Sequence, residues 1–247
     1  MRKCLRCVAA IVFATMMMMM TITAHAQQTQ TADLGGWYVG QFIYKPNNKM
    51  FLWFETQTRS QKLTDLFYYH EFKGGIGAIF AKKHSFLIGT GDYKTYSYDG
   101  NFKTPMQAKE FRLWEQITLN NNIDRVKIEQ RYRIEQRWVN GDFRSRFRYR
   151  LNPIIPLNKP SVQTNTVYIS LFEEVFFGNH APYFERNRFF AGAGYQFNKW
   201  FAAQTGWIRQ FDYNKTTDGS GKNFLQTTLM FTLDKSGPKE SHPSPMD

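Results

Sequence analysis

The chain has 247 residues, of which 42% are hydrophobic, 17% aromatic and 21% charged, and its formal net charge is +12. That length suits one sizeable domain. A mean hydropathy of −0.51 argues against a helical membrane protein. It does not argue against a membrane β-barrel, which turns only alternate residues towards lipid. Basic charge with many aromatic residues is also typical of nucleic acid binding. The export signal and strand alternation described below count against that class, so we expect no nucleic acid partner.

Residues 1–26 have the three parts of a secretory signal peptide. A basic start is followed by an apolar run over residues 8–22 and by the small-residue site Ala24-His25-Ala26. A retained membrane helix is the alternative, but the run is short and ends in a processing site. The sequence predicts Sec export with cleavage after Ala26, a barrel domain over residues 27–234 and a disordered tail over residues 235–247.

Both cysteines of the chain, Cys4 and Cys7, lie inside the predicted signal peptide. Cys7 precedes the apolar run and is therefore not a lipoprotein cysteine. We expect the mature chain to have neither disulfides nor thiol chemistry.

About eleven candidate strands follow, marked by alternating apolar and polar residues between turn signals. No heptad, solenoid repeat or domain linker interrupts them. The pattern predicts an all-β fold, a single antiparallel up-and-down transmembrane β-barrel of about 10–12 strands. In chain order the candidate strands cover residues 37–44, 51–58, 66–80, 85–93, 109–119, 125–138, 143–151, 167–177, 188–197, 201–213 and 224–233.

Connection lengths favour the same architecture. Bacterial barrels usually have an even number of strands, short periplasmic turns and longer outer loops. With the C-terminus on the periplasmic side, the connections near Lys83, Asn121 and Lys199 are periplasmic and short. The loops at 93–108 and 214–223 are external and long, whereas the Pro-rich connection is an exception. Eleven strands would leave the N-terminus outside, so the even-number rule predicts ten or twelve.

Charged residues occupy every second position of the segment 125–138, and the segment 143–151 continues the pattern. A helix would scatter these charges around its axis, whereas a strand places them on one face. A row of arginines facing inwards under an aromatic outer face is what a membrane barrel with a wet interior requires. We therefore predict a lumen lined by Glu110, Arg112, Glu129, Arg131, Arg133, Glu135, Arg137, Arg144, Arg146, Arg148, Arg150, Glu174 and Arg188.

The dipeptide Asn140-Gly141 is the strongest hairpin signal of the chain. Three of the four inward pairs that this turn creates are Arg against Arg, and like charges directly opposite destabilise a strand pair. We expect water, counter-ions or the glutamates named above to compensate. The four pairs are Arg137–Arg144, Glu135–Arg146, Arg133–Arg148 and Arg131–Arg150.

A turn at Asn121-Asn122 would set the register on the other side of the same strand. It places Glu110 opposite Arg133 and Arg112 opposite Arg131. It also turns Glu115 towards lipid, which is costly. A bulge near Trp114 would remove the conflict, and the sequence leaves both arrangements open.

The charged lumen has two interpretations. It is either a structural network that rigidifies a narrow barrel, or an anion-selective channel or acidic-solute binder. Pore-lining charges occur whether or not solute passes, so we prefer the structural interpretation. Side chains of this length can fill a barrel of ten to twelve strands, and we expect little or no conductance.

Other chemistry is sparse. None of His70, His84, His180 and His242 is at metal-ligand spacing with another. The sequence has no nucleotide-binding loop and no hydrolase motif. An outer-membrane lipid- or peptide-modifying enzyme is the remaining alternative, with only His70, His84, Ser85 and His180 as candidates. We therefore expect a non-enzymatic protein without metal or cofactor.

Six short motifs stand out along the chain: RLWEQ, RVKIEQRYRIEQRW, FRSRFRYRLNPIIPL, LFEEVFFGN, ERNRFFAGAGYQF and LQTTLMFTL. Together they resemble an uncharacterised bacterial family, the domain of unknown function 2490. The resemblance covers about residues 37–233. It implies an outer-membrane β-barrel of Gram-negative bacteria, and it carries over neither an activity nor catalytic residues. The expected partners are outer-membrane lipid and lipopolysaccharide, with the barrel-assembly machinery during insertion, and we expect a monomer.

Overall fold

The computed structural model describes residues 33–81, 83–215 and 219–235. The predicted signal peptide and the predicted tail beyond residue 235 lie outside these ranges, so both stay predictions. Within the described ranges, no helix is long and apolar enough to cross a membrane.

The described residues form eleven β-strands, which agree in number and order with the candidate strands. Most are longer than expected, and the ninth and eleventh begin earlier, at Phe184 and Gly219. The strands are Gly35–Lys45 (β1), Met50–Lys62 (β2), Asp65–Phe80 (β3), His84–Tyr96 (β4), Met106–Ile123 (β5), Val126–Val139 (β6), Asp142–Pro156 (β7), Thr166–Gly178 (β8), Phe184–Gln196 (β9), Phe201–Tyr213 (β10) and Gly219–Asp234 (β11).

The strands close into one barrel in which each strand pairs with its neighbours along the chain. Ten of the pairs are antiparallel. The closing pair, β1 with β11, is parallel, from Gly35 opposite Phe224 to Lys45 opposite Asp234. Strand direction alternates along the chain, so an odd number of strands makes the first and last point the same way. The all-β barrel of about 10–12 strands is confirmed, but the expected even number and fully antiparallel closure are wrong.

The connections form two rims. β1 begins at the upper rim, and β11 ends at the lower rim. The upper rim contains the connections β2–β3, β4–β5, β6–β7, β8–β9 and β10–β11. The lower rim contains β1–β2, β3–β4, β5–β6, β7–β8 and β9–β10.

The hairpin between β6 and β7 has the predicted two-residue turn. Asn140 and Gly141 have φ angles of 50° and 96°, as a type I′ turn requires at both central positions. The register confirms the four predicted pairings, including Arg133 opposite Arg148 and Arg131 opposite Arg150.

The predicted register between β5 and β6 is wrong. β5 continues through the asparagine run to Ile123, and the turn lies at Asp124-Arg125, so Arg112 faces Arg137 rather than Arg131. Asn120 remains in the strand because its Nδ2 donates to the Lys83 carbonyl at 2.9 Å, and its backbone N–H donates to His84 Nδ1 at 3.1 Å.

The bulge near Trp114 that would turn Glu115 inwards is absent from the described strands. β5 pairs regularly with both neighbours through Trp114, so no bulge turns Glu115 inwards. Its side chain lies on the outer face, where its Oε2 accepts a hydrogen bond of 3.1 Å from Gln136 Nε2.

The outer face of the barrel is largely apolar. Ile76, Ile88 and Ile134 expose more than half of their surface, at 58%, 56% and 53%. Aromatic rings form an upper band and a lower band on this face. The upper band contains Phe111, Trp138, Phe143, Phe147, Phe177, Phe184 and Tyr213, and the lower band contains Tyr195, Phe197, Trp200, Phe201 and Phe231.

Two apolar clusters fill part of the interior. One contains Trp37, Phe172, Phe190 and neighbouring residues, and the other is built around Trp53 and Trp114. The Trp114 ring lies directly over the backbone of β4. A Cβ atom on Gly89 would approach this ring to 2.4 Å, so the position requires glycine.

The first prediction tests this packing. We expect Gly89→Ala to lower the free energy of unfolding by about 1–3 kcal/mol, the usual cost of overpacking a filled core. The measurement is the urea unfolding midpoint of protein refolded in detergent, followed by tryptophan fluorescence. Gly40→Ala is the matched control, because a Cβ there meets Thr56 Cγ2 at an acceptable 3.4 Å. Equal midpoints for the two variants would contradict the packing.

Candidate functional site: a buried arginine–glutamate network and two cavities

Two fully buried carboxylates hold the centre of the lumen. Glu135 on β6 accepts hydrogen bonds from Arg146 and Arg148, both at 2.6 Å. Glu174 on β8 contacts Arg148 at 2.8 Å and Arg150 at 3.0 Å. Both glutamates are 0% exposed. Arg148 therefore links the two carboxylates into one network.

These carboxylates compensate the like-charge pairs of the hairpin. Arg131 and Arg150 face each other, and both donate to Glu174 on the next strand. Arg133 donates to Gln116 Oε1 at 2.8 and 2.7 Å, and its Nη1 lies 3.5 Å from Glu135. A buried charge is tolerated when it is paired and hydrogen-bonded, and each of these arginines meets that condition.

A third carboxylate extends the network towards the upper rim. Glu110 accepts hydrogen bonds of 2.7 Å from Arg112 and a further one from Arg137. Glu185 lies 3.3 Å from Arg137 and 3.4 Å from Arg146. Sequence reasoning missed Glu185 because it expected β9 to start only at residue 188.

Aromatic rings support the arginines on their other side. The Phe176 ring has the guanidinium carbons of Arg148, Arg188 and Arg146 at 4.6, 4.7 and 5.1 Å from its centroid. The Tyr93 ring has that of Arg112 at 3.7 Å. Ring faces attract cations, more strongly when water is excluded, so the rings add to the stabilisation from the carboxylates.

A second ion-pair cluster lies on β2 and β3, and sequence reasoning missed it. Lys73 Nζ lies 2.6 Å from Glu71 and also contacts Glu55, and Arg59 is 3.9 Å from Glu71. The sequence contains a signal for this cluster, because the polar residues Glu55, Gln57 and Arg59 occupy every second position.

The structure brings nearly all the predicted lumen residues together, and one departs from the prediction. Arg144 is exposed at the upper rim and forms no ion pair with any described residue. It lies near the start of β7, above the level at which side chains fill the lumen. Arg137 is half-buried. The buried members are Glu110, Arg112, Glu129, Arg131, Arg133, Glu135, Arg146, Arg148, Arg150, Glu174 and Arg188.

The network separates two cavities that share no lining residue. The upper cavity has a volume of about 260 Å³, and its lining includes Arg59, Arg186, Arg188 and Tyr98. The lower cavity has a volume of about 370 Å³, and Glu129, which pairs with Lys127 at 3.3 Å, forms part of its wall. The two cavities therefore lie on opposite sides of the buried network.

The histidine and serine candidates for catalysis do not converge. His84 and Ser85 begin β4 at the lower rim, whereas His70 and His180 lie towards the upper rim on β3 and in the β8–β9 connection. His84 accepts the hydrogen bond that holds Asn120 in β5. Among the described residues, no group of three or more histidines or carboxylates could hold a metal ion.

The second prediction tests the shared carboxylate. We expect Glu174→Gln to cost about 3–5 kcal/mol in unfolding free energy, because several buried arginines lose their counter-charge. The urea unfolding midpoint in detergent measures the loss. Glu185→Gln is the control, since its partly exposed side chain makes longer contacts and should cost less than about 1 kcal/mol. Equal losses for the two variants would show that Glu174 has no special role.

Comparison with known proteins agrees with this architecture. The family described as a protein of unknown function (DUF2490) matches residues 34–221. No curated protein and no solved structure matches the chain significantly. The match covers most of the barrel, from β1 to the start of β11. The chain thus belongs to the DUF2490 family, in agreement with the resemblance of its motifs and with its closed β-barrel.

Proposed function

We propose that the protein is an integral outer-membrane β-barrel of non-enzymatic character, whose charged lumen is a structural plug rather than a pore. The observation that supports this proposal is the difference in polarity between the inner and outer faces of the barrel. The interior holds the arginine–glutamate network, and the outer face is apolar between two aromatic bands. A soluble lipocalin-like barrel would have the opposite arrangement, an apolar interior under a polar exterior.

The outer face has the features that lipid requires. Its exposed aliphatic side chains would each cost free energy in water. Membrane barrels carry an apolar band flanked by aromatic girdles at the two interfaces, and the two ring bands lie towards the two ends of the strands. The predicted signal peptide supports the same location.

Polar residues on the outer face satisfy one another. Glu115 accepts a hydrogen bond from Gln136, and Gln130 Oε1 accepts hydrogen bonds from Tyr132 and Tyr149 at 3.1 and 3.3 Å. Pairing of this kind lowers the cost of polar groups in an apolar medium, so these residues are compatible with a lipid-facing wall.

The packed middle supports a closed barrel. Glu135, Glu174, Trp53 and Trp114 are all 0% exposed and lie between the two cavities. A pore needs a continuous wet path, and these side chains occupy its place. The partners of such a protein are lipid and lipopolysaccharide, together with the barrel-assembly machinery during insertion, and it acts as a monomer.

The third prediction concerns location and orientation. We expect the protein to fractionate with the outer membrane and to show heat-modifiable gel mobility. In a background with Cys4 and Cys7 replaced by serine, a membrane-impermeant maleimide should label Asp142→Cys, at the upper rim, in intact cells. Lys49→Cys, at the lower rim, should react only after the outer membrane is permeabilised.

Both cysteine positions are exposed in the structure, so each serves as the accessibility control for the other. Recovery of the protein in the soluble periplasmic fraction would contradict the proposal. So would labelling of Lys49→Cys in intact cells, which would reverse the orientation.

The fourth prediction concerns conductance. Purified protein in planar bilayers should give no steady current, because the middle of the lumen is filled. Arg148→Gln should weaken folding without opening a path, since Glu135 and Glu174 would lose a shared partner. A steady anion current from the unmodified protein, falling as lumen arginines become glutamine, would favour the channel interpretation instead.

A further inference from the structure

Positive charge exceeds negative charge around the upper cavity. Seven arginines and three carboxylates line it. Most of these arginines have a close carboxylate. Arg112 lies 2.7 Å from Glu110, Arg146 lies 2.6 Å from Glu135, and Arg186 donates to Asp212. Arg137 donates to Glu110, and Arg148 lies 2.6 Å from Glu135. Two of the seven lining arginines therefore lack a close carboxylate.

Arg59 is one of two lining arginines without a close carboxylate. Its nearest carboxylate oxygen is on Glu71, 3.9 Å away, and Glu71 is already paired with Lys73 at 2.6 Å. The side chain is buried, its Nη2 donates to the neutral Gln57 at 3.3 Å, and its Nε has no hydrogen-bond partner among the described residues. The guanidinium group lies between the rings of Trp37 and Tyr69, at 3.5 and 4.3 Å from their centroids.

Arg188 is the other lining arginine without a close carboxylate. Its nearest carboxylate oxygen is on Glu174, 3.8 Å away, and Glu174 is shared with several other arginines. Its Nε donates to the neutral Gln210 at 3.0 Å. Its guanidinium carbon is 4.9 Å from the Trp37 ring that also contacts Arg59. One ring therefore holds two under-compensated cations beside the same cavity.

Two buried cations in this position need an anion. Ring faces attract these cations, but a full counter-charge comes only from an anion. Guanidinium groups offer forked donors that match the oxygens of carboxylate and phosphate groups. We propose that the upper cavity is a binding site for a small soluble oxyanion, held between Arg59 and Arg188.

The volume of the cavity limits the size of the ligand. A volume of about 260 Å³ is below that of a typical drug-sized pocket, so the ligand is of the size of phosphate, a small dicarboxylate or a small sugar phosphate. The cavity lies inside the barrel, away from its apolar outer face, so a soluble molecule reaches it more readily than a lipid headgroup does.

The exposed ring of Tyr98 forms part of the cavity lining. It packs edge-on against Tyr68, with 4.8 Å between the ring centroids.

The fifth prediction tests this site with inorganic phosphate and with succinate. Each anion is titrated into the full chain in detergent, in low-chloride buffer, by isothermal titration calorimetry. We expect saturable binding of at least one of them, and the tighter binder identifies the phosphate or carboxylate preference. Arg59→Gln and Arg188→Gln should each weaken that binding at least tenfold, because each removes one of the two cations.

Arg144→Gln is the matched control, because Arg144 is an exposed arginine of the same rim outside the cavity lining. Its affinity should stay within twofold of the unmodified protein. If an Arg59 or Arg188 variant does not refold, the bound anion must still raise the urea unfolding midpoint of the unmodified protein. This test is independent of membrane location, so it can fail while the proposed function stands.

Three results would overturn the proposal. The first is the absence of saturable binding by either anion. The second is equal weakening in all three arginine variants, which would indicate non-specific attraction to a basic rim. The third is chloride competing as strongly as phosphate and succinate, which would remove the oxyanion preference.

Discussion

The fold depends on neutralising arginines that its own hairpin register places face to face. The turn at Asn140-Gly141 aligns β6 with β7 so that Arg131 meets Arg150 and Arg133 meets Arg148. Neither pair could be buried alone. Glu174, from the next strand, and Glu135, from within the hairpin, supply the counter-charge. Closure of the barrel around these two carboxylates is what makes the charged hairpin a stable interior.

The network accounts for the filled lumen, and the alternation of side chains along each strand accounts for the apolar outer face. Long arginine side chains reach across the interior to carboxylates and ring faces, and these side chains are buried. Alternation along each strand then puts the intervening apolar residues outside. A barrel with a polar interior and an apolar exterior suits lipid rather than water. The proposed membrane location rests on that polarity.

Compensation within the lumen is not uniform. Around Glu135 and Glu174 each carboxylate serves several arginines at distances near 3 Å or less. Beside the upper cavity, by contrast, Arg59 and Arg188 have only carboxylate contacts near 4 Å. Structural and binding interpretations of a charged lumen are therefore compatible, because the middle can be a plug while one end holds charge that a ligand would complete.

Local pattern determined the strands, their order, the β6–β7 register and the inward face of the arginines, because alternation and a two-residue turn involve only neighbouring residues. Contacts distant in the chain decided the rest. Asn120 stays in β5 through bonds to Lys83 and His84, closure of eleven strands pairs β1 in parallel with β11, and Lys73 on β3 contacts Glu55 on β2. Such pairings depend on which strands become neighbours, and only the closed barrel decides that.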